Sequence, residues 1–229
     1  MHRCARPLFA ALLLAALLVG ASAAVVAADA AVTRSLSRMF PDGAVLSAST
    51  GEIGGIRRIA AIITDPHQLE MALVVLSETA PGQLAVSARS ATFSMHHRWH
   101  DVSWKVRNDS LHFEVSGNGG CCYDYSHRYQ FRMRDGQFVL VGSESTEMGF
   151  EPSRAARAGA AGEPLPVLYR SGLSTNLVSG SAVQWRVEAL SPTADPFKDD
   201  ILKLKAGRKR TEKTVRITPK RVMLEGFSP

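Results

Sequence analysis

The clearest hydrophobic pattern in the chain runs from Tyr123 to Gly142, YDYSHRYQFRMRDGQFVLVG. Tyr123, Tyr125, Tyr129, Phe131 and Met133 fall on alternate positions, with Asp124, Ser126, Arg128, Gln130, Arg132 and Arg134 between them. A period of two marks a strand with one buried face. Asp135-Gly136 then predicts a type I′ turn, in which both central residues take φ > 0. Residues 138–141 return as the second arm. A two-residue loop sets Met133 opposite Phe138 and Phe131 opposite Leu140, so both arms offer apolar groups to one face. Leu111, Phe113 and Val115 predict a strand just before this hairpin, followed by the tight SGNGG turn at residues 116–120.

Upstream, residues 44–48, 58–64, 72–77 and 84–90 are rich in Val, Ile, Leu and Ala and are separated by Gly, Pro, Ser and Asp clusters. Short strands at this spacing predict a mainly β fold: antiparallel sheets built from hairpins, with room for one or two short helices. Residues 59–63 and 73–76 are unbroken apolar runs, which predicts central strands covered on both faces. A helix over residues 68–76 is the competing assignment. Residues 31–40 read as a short amphipathic lead-in with Leu36, Met39 and Phe40 as its apolar members, ended by the turn Pro41-Asp42-Gly43. Residues 144–166 lack periodicity and read as a long exposed loop. Residues 174–180 then lead into a strand at 183–190.

The first thirty residues change the picture. His2, Arg3 and Arg6 precede an apolar run at residues 8–19, and Ala21-Ser22-Ala23 and Ala28-Asp29-Ala30 offer small-residue cleavage patterns. This is the layout of a secretory signal peptide. Cys4 lies before the apolar run, so it is not placed as a lipoprotein cysteine. The expected organisation is a signal peptide at residues 1–30 and a single β-rich domain at residues 31–229, periplasmic or secreted, with no transmembrane segment after cleavage. With Arg3, Arg6 and Asp29 removed, 199 residues remain with a net charge of +5.

Export also governs the cysteines. Cys121 and Cys122 are the only two beyond the signal segment, and an oxidising compartment seldom leaves thiols free. A strained vicinal disulfide, two buried thiols, and intermolecular bridges all remain open. Their adjacency lacks the two-residue spacing of a redox dithiol.

The densest group of metal-ligand residues is FSMHHRWHDVSW, with His96, His97, His100 and Asp101. His96 and His100 share a face on either a helix or a strand, and imidazole suits zinc, copper or nickel. No standard metal motif is present. The plainer reading is a polar face alternating with Phe93, Met95, Trp99 and Trp104.

The segment RYQFRMRDGQFVLVG followed by STNLVSG (Ser174 to Gly180) resembles a group of uncharacterised exported bacterial proteins. Their pattern is a Y-x-F-R-x-x-D-G-x-F-x-L-I-G hairpin and an S-x-N-x-L-T-G motif. The resemblance covers residues 111–182, about a third of the chain. It implies an envelope or secreted location and a β-rich fold, and it brings no known activity. Members of that group carry an FG-GAP-like D-x-N-x-D-G segment that looks calcium-binding. The corresponding residues here, 51–58 (GEIGGIRR), keep glycines and one carboxylate but lack the other oxygen ligands, which implies a lost site.

Residues 203–221 carry nine basic side chains against Glu212 alone. Lys203, Lys205, Arg208, Lys209, Arg210 and Lys213 are the candidate anion-binding residues. Export removes the usual nucleic-acid partners, leaving an anionic envelope component or a protein partner. The competing readings are a solvated hairpin, with Leu202 and Leu204 turning at Gly207 to meet residues 215–217, and a helix over residues 195–206 with Asp195 as its N-cap and Pro196 at N1. No nucleophile elbow, HExxH, phosphate loop or dinucleotide fingerprint occurs, and no cofactor is implied. The expected function is a noncatalytic exported envelope protein, a binding or interaction module. The alternative is a metal-assisted hydrolase built on His96, His97 and His100.

Overall fold

The computed structural model describes residues 32–65, 67, 70–94, 99–119, 123–152, 166–190 and 208–229, without the side chains of His100 and of residues 150–152, 166, 189, 190, 208 and 209. The signal peptide expected at residues 1–30 lies outside the described residues.

The chain is mainly β and its pairings are antiparallel, as the alternating pattern requires. A first sheet has the order β1 (Ala44–Ile53), β2 (Ile56–Thr64), β3 (Glu70–Ala80), β4 (Gln83–Arg89), with the short β5 (Phe93–Ser94) also on β3. A second sheet is a seven-stranded meander of β6 (Trp99–Arg107), β7 (Ser110–Asn118), β8 (Tyr123–Arg134), β9 (Gln137–Pro152), β10 (Pro166–Asn176), β11 (Ser181–Leu190) and β12 (Arg208–Arg216).

The unbroken apolar runs of β2 and β3 are buried on both faces. One face, with Ile59, Ala61, Val74 and Leu76, packs under a short helix at residues 32–39 that contributes Val32 and Leu36. The other face, with Ile62, Leu73 and Val75, packs on Trp104, Phe113, Val115 and Phe131 of the second sheet. Each such large apolar side chain taken from water stabilises the fold by about 1.5–3 kcal/mol. The helix proposed over residues 68–76 does not form. Residues 71–76 are apolar at every position, so period cannot distinguish helix from strand, and here their i, i+2 faces meet two separate apolar layers.

The sheets join along one side and are plugged along the other. At the joined side the amide of Val106 donates to Ser49 Oγ (3.3 Å), and Gly51 lies against Val106 where a Cβ would come within 2.6 Å of its side chain. The tips are tied by the Gly54 amide, which donates to Asp109 Oδ1 at 2.7 Å. At the plugged side, the Leu140 amide donates to the Val222 carbonyl and the Ala91 amide to the Glu225 carbonyl. The intervening 3-10 turn, Leu224–Gly226, sends Leu224 into the shared core, followed by Phe227. The Phe227 ring stands edge-on to Tyr129 and Phe131, 5.0 Å from each centroid.

The central hairpin has the expected register: Met133 faces Phe138, Phe131 faces Leu140, and Asp135 and Gly136 have φ of 52° and 77°. Both arms are interior strands, because β7 flanks β8 and β10 flanks β9. The hairpin therefore presents no free strand edge.

Residues 144–166 are not one long loop. Strand β9 continues to Pro152 and β10 begins at Pro166, with eleven paired positions between them. The stretch has no hydrophobic period because both of its faces carry polar groups, as in Ser143, Glu144, Ser145, Thr146 and Glu147. Its pairing comes from the neighbouring strands rather than from a buried face. Near the basic end, β12 pairs with β11 from Ser181–Arg216 to Ala189–Arg208. Residues 215 and 216 join the sheet by pairing with Ala182 and Ser181 of β11. The hairpin considered with residues 202–205, and the helix considered over 195–206, lie outside the described residues.

Candidate functional site

The second sheet is longer than the first, and its inner face divides in two. At one end Trp104, Phe113 and Phe131 are fully buried under the first sheet. Toward the other end the same face of β8 carries Tyr129, His127, Tyr125 and Tyr123, all only partly buried. The register extends these positions sideways. His127 lies opposite Ser145, which faces Leu173, then Gln184, then Lys213. One row further out, Tyr125 lies opposite Glu147, then Ser171, Arg186 and Thr211.

On β8 the rings form a ridge, with centroids 6.1 Å apart for Tyr123 and Tyr125 and 5.7 Å apart for Tyr125 and His127. Beside it the Glu147 carboxylate is pinned at both oxygens: Tyr123 donates its hydroxyl to Oε2 at 2.7 Å and Ser171 donates to Oε1 at 2.9 Å. Burial and this carboxylate together push the Tyr123 phenol up to about 12. Burial holds the His127 imidazole below its ordinary value, so the ring is neutral at pH 7. The ridge and the carboxylate border a hollow of about 220 Å³ that also touches Leu173 and Gln184. Further along, Arg186 stacks on Tyr169 at 4.3 Å and donates to Glu188 at 2.6 Å.

The outer face is more charged. Arg128 bridges Glu114 (2.9 Å) and Glu144 (3.2 Å). Nearby, His112 is buried, and among the described residues neither ring nitrogen has a hydrogen bond of ordinary geometry. Burial lowers its pKa, and Arg107 and Arg128 act in the same direction against the opposing influence of Glu114 and the Arg107 carbonyl.

The basic run occupies β12, an outermost strand of the seven-stranded sheet. Its sequence RKRTEKTVR holds five basic residues against Glu212. Alternation sends them to both faces: Arg210 and Arg216 project on the Trp185 side, and Lys213 on the Gln184 side. All three are exposed, and Arg210 donates to Glu212 at 3.0 Å. The anion-binding candidates thus make a charged edge rather than a charged face. Lys203 and Lys205 lie outside the described residues, as do the side chains of Arg208 and Lys209.

Of the metal candidates, His96 and His97 lie outside the described residues, as does the side chain of His100. Asp101 is exposed on β6, just after an irregularity in the pairing with β7. Among the described residues no group of three or more His, Cys, Asp or Glu side chains is arranged to hold a metal. Cys121 and Cys122 lie outside the described residues. The sequence pattern placed the tyrosines on the buried face of a strand, not in a site, and gave no sign of Glu147 and Ser171. Their signal is a register signal: once β9 and β10 are recognised as strands, both fall on the row of Tyr125.

No family model, curated protein or solved structure matches the chain. Among the described residues no helix is long and apolar enough to cross a membrane.

Proposed function

We propose that this chain is a noncatalytic interaction module of the cell envelope or exterior that engages an anionic component through the β12 edge. The observation that carries the reading is the basic edge strand itself. Arg210, Lys213 and Arg216 are exposed on a strand that pairs, among the described residues, only with β11. Its cations project on both sides of that edge. Lysine and arginine on an edge also discourage a second copy from pairing there, because like charges would meet. An extended acidic chain meets no such penalty. The secretory layout of residues 1–30 supports an exported location and argues against nucleic acid as the partner.

The test is calorimetric titration of the chain with poly-L-glutamate at low and at high salt. Affinity is expected to fall as salt rises, since exposed charges are screened within about 8–10 Å at physiological ionic strength. The triple charge reversal Arg210→Glu, Lys213→Glu and Arg216→Glu should remove binding without changing the fold. Binding that ignores both salt and the reversal would refute the reading.

A further inference from the structure

We propose a second binding site at the open end of the inner face, where Tyr125 is the platform and Glu147 the acceptor for a neutral polyhydroxylated ligand, a saccharide segment. This goes beyond the β12 reading and does not depend on it.

The chemistry of the hollow selects the ligand class. The ridge of Tyr123, Tyr125 and His127 follows β8, so it offers a row of rings to an extended ligand rather than a closed box. Ring faces carry negative charge density and attract the weakly positive C–H groups of a sugar ring. Glu147 is an acceptor only, and its two existing bonds fix its oxygens while leaving lone pairs on each. What it still lacks is donors, and a sugar carries several hydroxyl donors close together. Tyr125 lies between the other two rings and supplies the middle of the platform.

Other classes fit less well. An anion would meet the Glu147 carboxylate. An apolar ligand would bury that carboxylate and the polar side chains of Ser145 and Gln184 without partners, at a cost of about 1–3 kcal/mol for each group. An organic cation would be attracted by Glu147, but Arg186 lies on the same row as Glu147 and Lys213 on the next one. The ring planes are also tilted by 38° and 50° to one another along a line rather than enclosing a point.

The experiment titrates the full chain with maltotriose, cellotriose and chitotriose, with choline and inorganic phosphate as charged comparators. At least one trisaccharide should bind. Glu147→Gln, which keeps the size of the side chain, should weaken that binding about tenfold or more, the effect of losing a hydrogen bond to a charged group. Tyr125→Ala should do the same, while Tyr125→Phe, which keeps the ring, should retain most of the affinity and serves if the alanine variant fails to fold. The β12 charge reversal should leave sugar binding unchanged, which separates this site from the anionic one. Three results would each overturn the site: choline binding with none of the sugars, sugar binding indifferent to Glu147→Gln and to the Tyr125 variants, or no binding by any of the three trisaccharides.

Discussion

The indole Nε1 of Trp104 donates to the backbone carbonyl of Val74 at 3.2 Å, crossing from the seven-stranded sheet to the five-stranded one. Trp104 is fully buried and stands edge-on to Phe113 and Phe131. It is the largest side chain of the shared core, and its one polar atom is satisfied by the opposite layer.

Replacing it separates packing from hydrogen bonding. Trp104→Ala should destabilise the chain by about 3–5 kcal/mol, the range for deleting a large buried aromatic. Trp104→Phe should cost less, because much of the ring volume remains. Urea unfolding monitored by circular dichroism measures both. A Trp104→Ala loss below about 1 kcal/mol would mean that the sheets are not held together here.

The central turn provides a backbone test. Gly136 has φ of 77° and open space around its Cα, so a side chain there meets no clash and only the conformational strain remains. Gly136→Ala should therefore destabilise by about 1 kcal/mol through the positive φ alone. A stabilised variant would show that the turn is not of this type.

Tyr123 gives a pH test with a defined sign. Its folded pKa, about 12, lies above that of a free phenol, so the folded state holds the proton more tightly than the unfolded state. The stabilisation is complete below the ordinary phenol value and is lost as pH rises through about 12. Ultraviolet titration should find Tyr123 and the buried Tyr129 both ionising late, and Glu147→Gln should bring back Tyr123 alone.

His112 behaves in the opposite sense. Its folded pKa is lowered, chiefly by burial, so the folded state resists protonation. Stability should fall as pH drops from the ordinary histidine range through the lowered value. Since neither nitrogen has a partner of ordinary geometry, His112→Leu should be neutral or stabilising by about 1–2 kcal/mol at pH 7 and should flatten the acid side of the profile. Melting temperatures at pH 7.5 and pH 5 decide it. A marked loss at pH 7.5 would show that the imidazole is held by something its surroundings do not reveal.

Much of the architecture was legible where side-chain period and turn chemistry agreed. Asp135-Gly136 fixed the turn, and the turn fixed Phe131 against Leu140. The runs at residues 59–63 and 73–76 announced strands covered on both faces, and the helix at residues 32–39 supplies one of those covers. What escaped was the outer half of the second sheet. Ser143 to Met148 and Ser171 to Thr175 carry few apolar groups, so their strand character depends on pairing partners far along the chain. The same blindness hid Glu147: a carboxylate in an apparent loop has no assigned neighbours. The basic run was visible as charge, but its division between two faces emerged only with its pairing to β11.

The plug made by Leu224 and Phe227 has a kinetic consequence. These residues meet the Ala91 region and the start of β9 across a very long stretch of chain. Every strand of both sheets is synthesised before them, so the sandwich must wait open along one side until they arrive. Closure at so large a sequence separation is slow relative to the local hairpins. Until then the Phe227 side of Phe113, Tyr129 and Phe131 is without its cover. Deleting residues 222–227 would therefore leave that aromatic cluster permanently uncovered on one side and weaken the finished core.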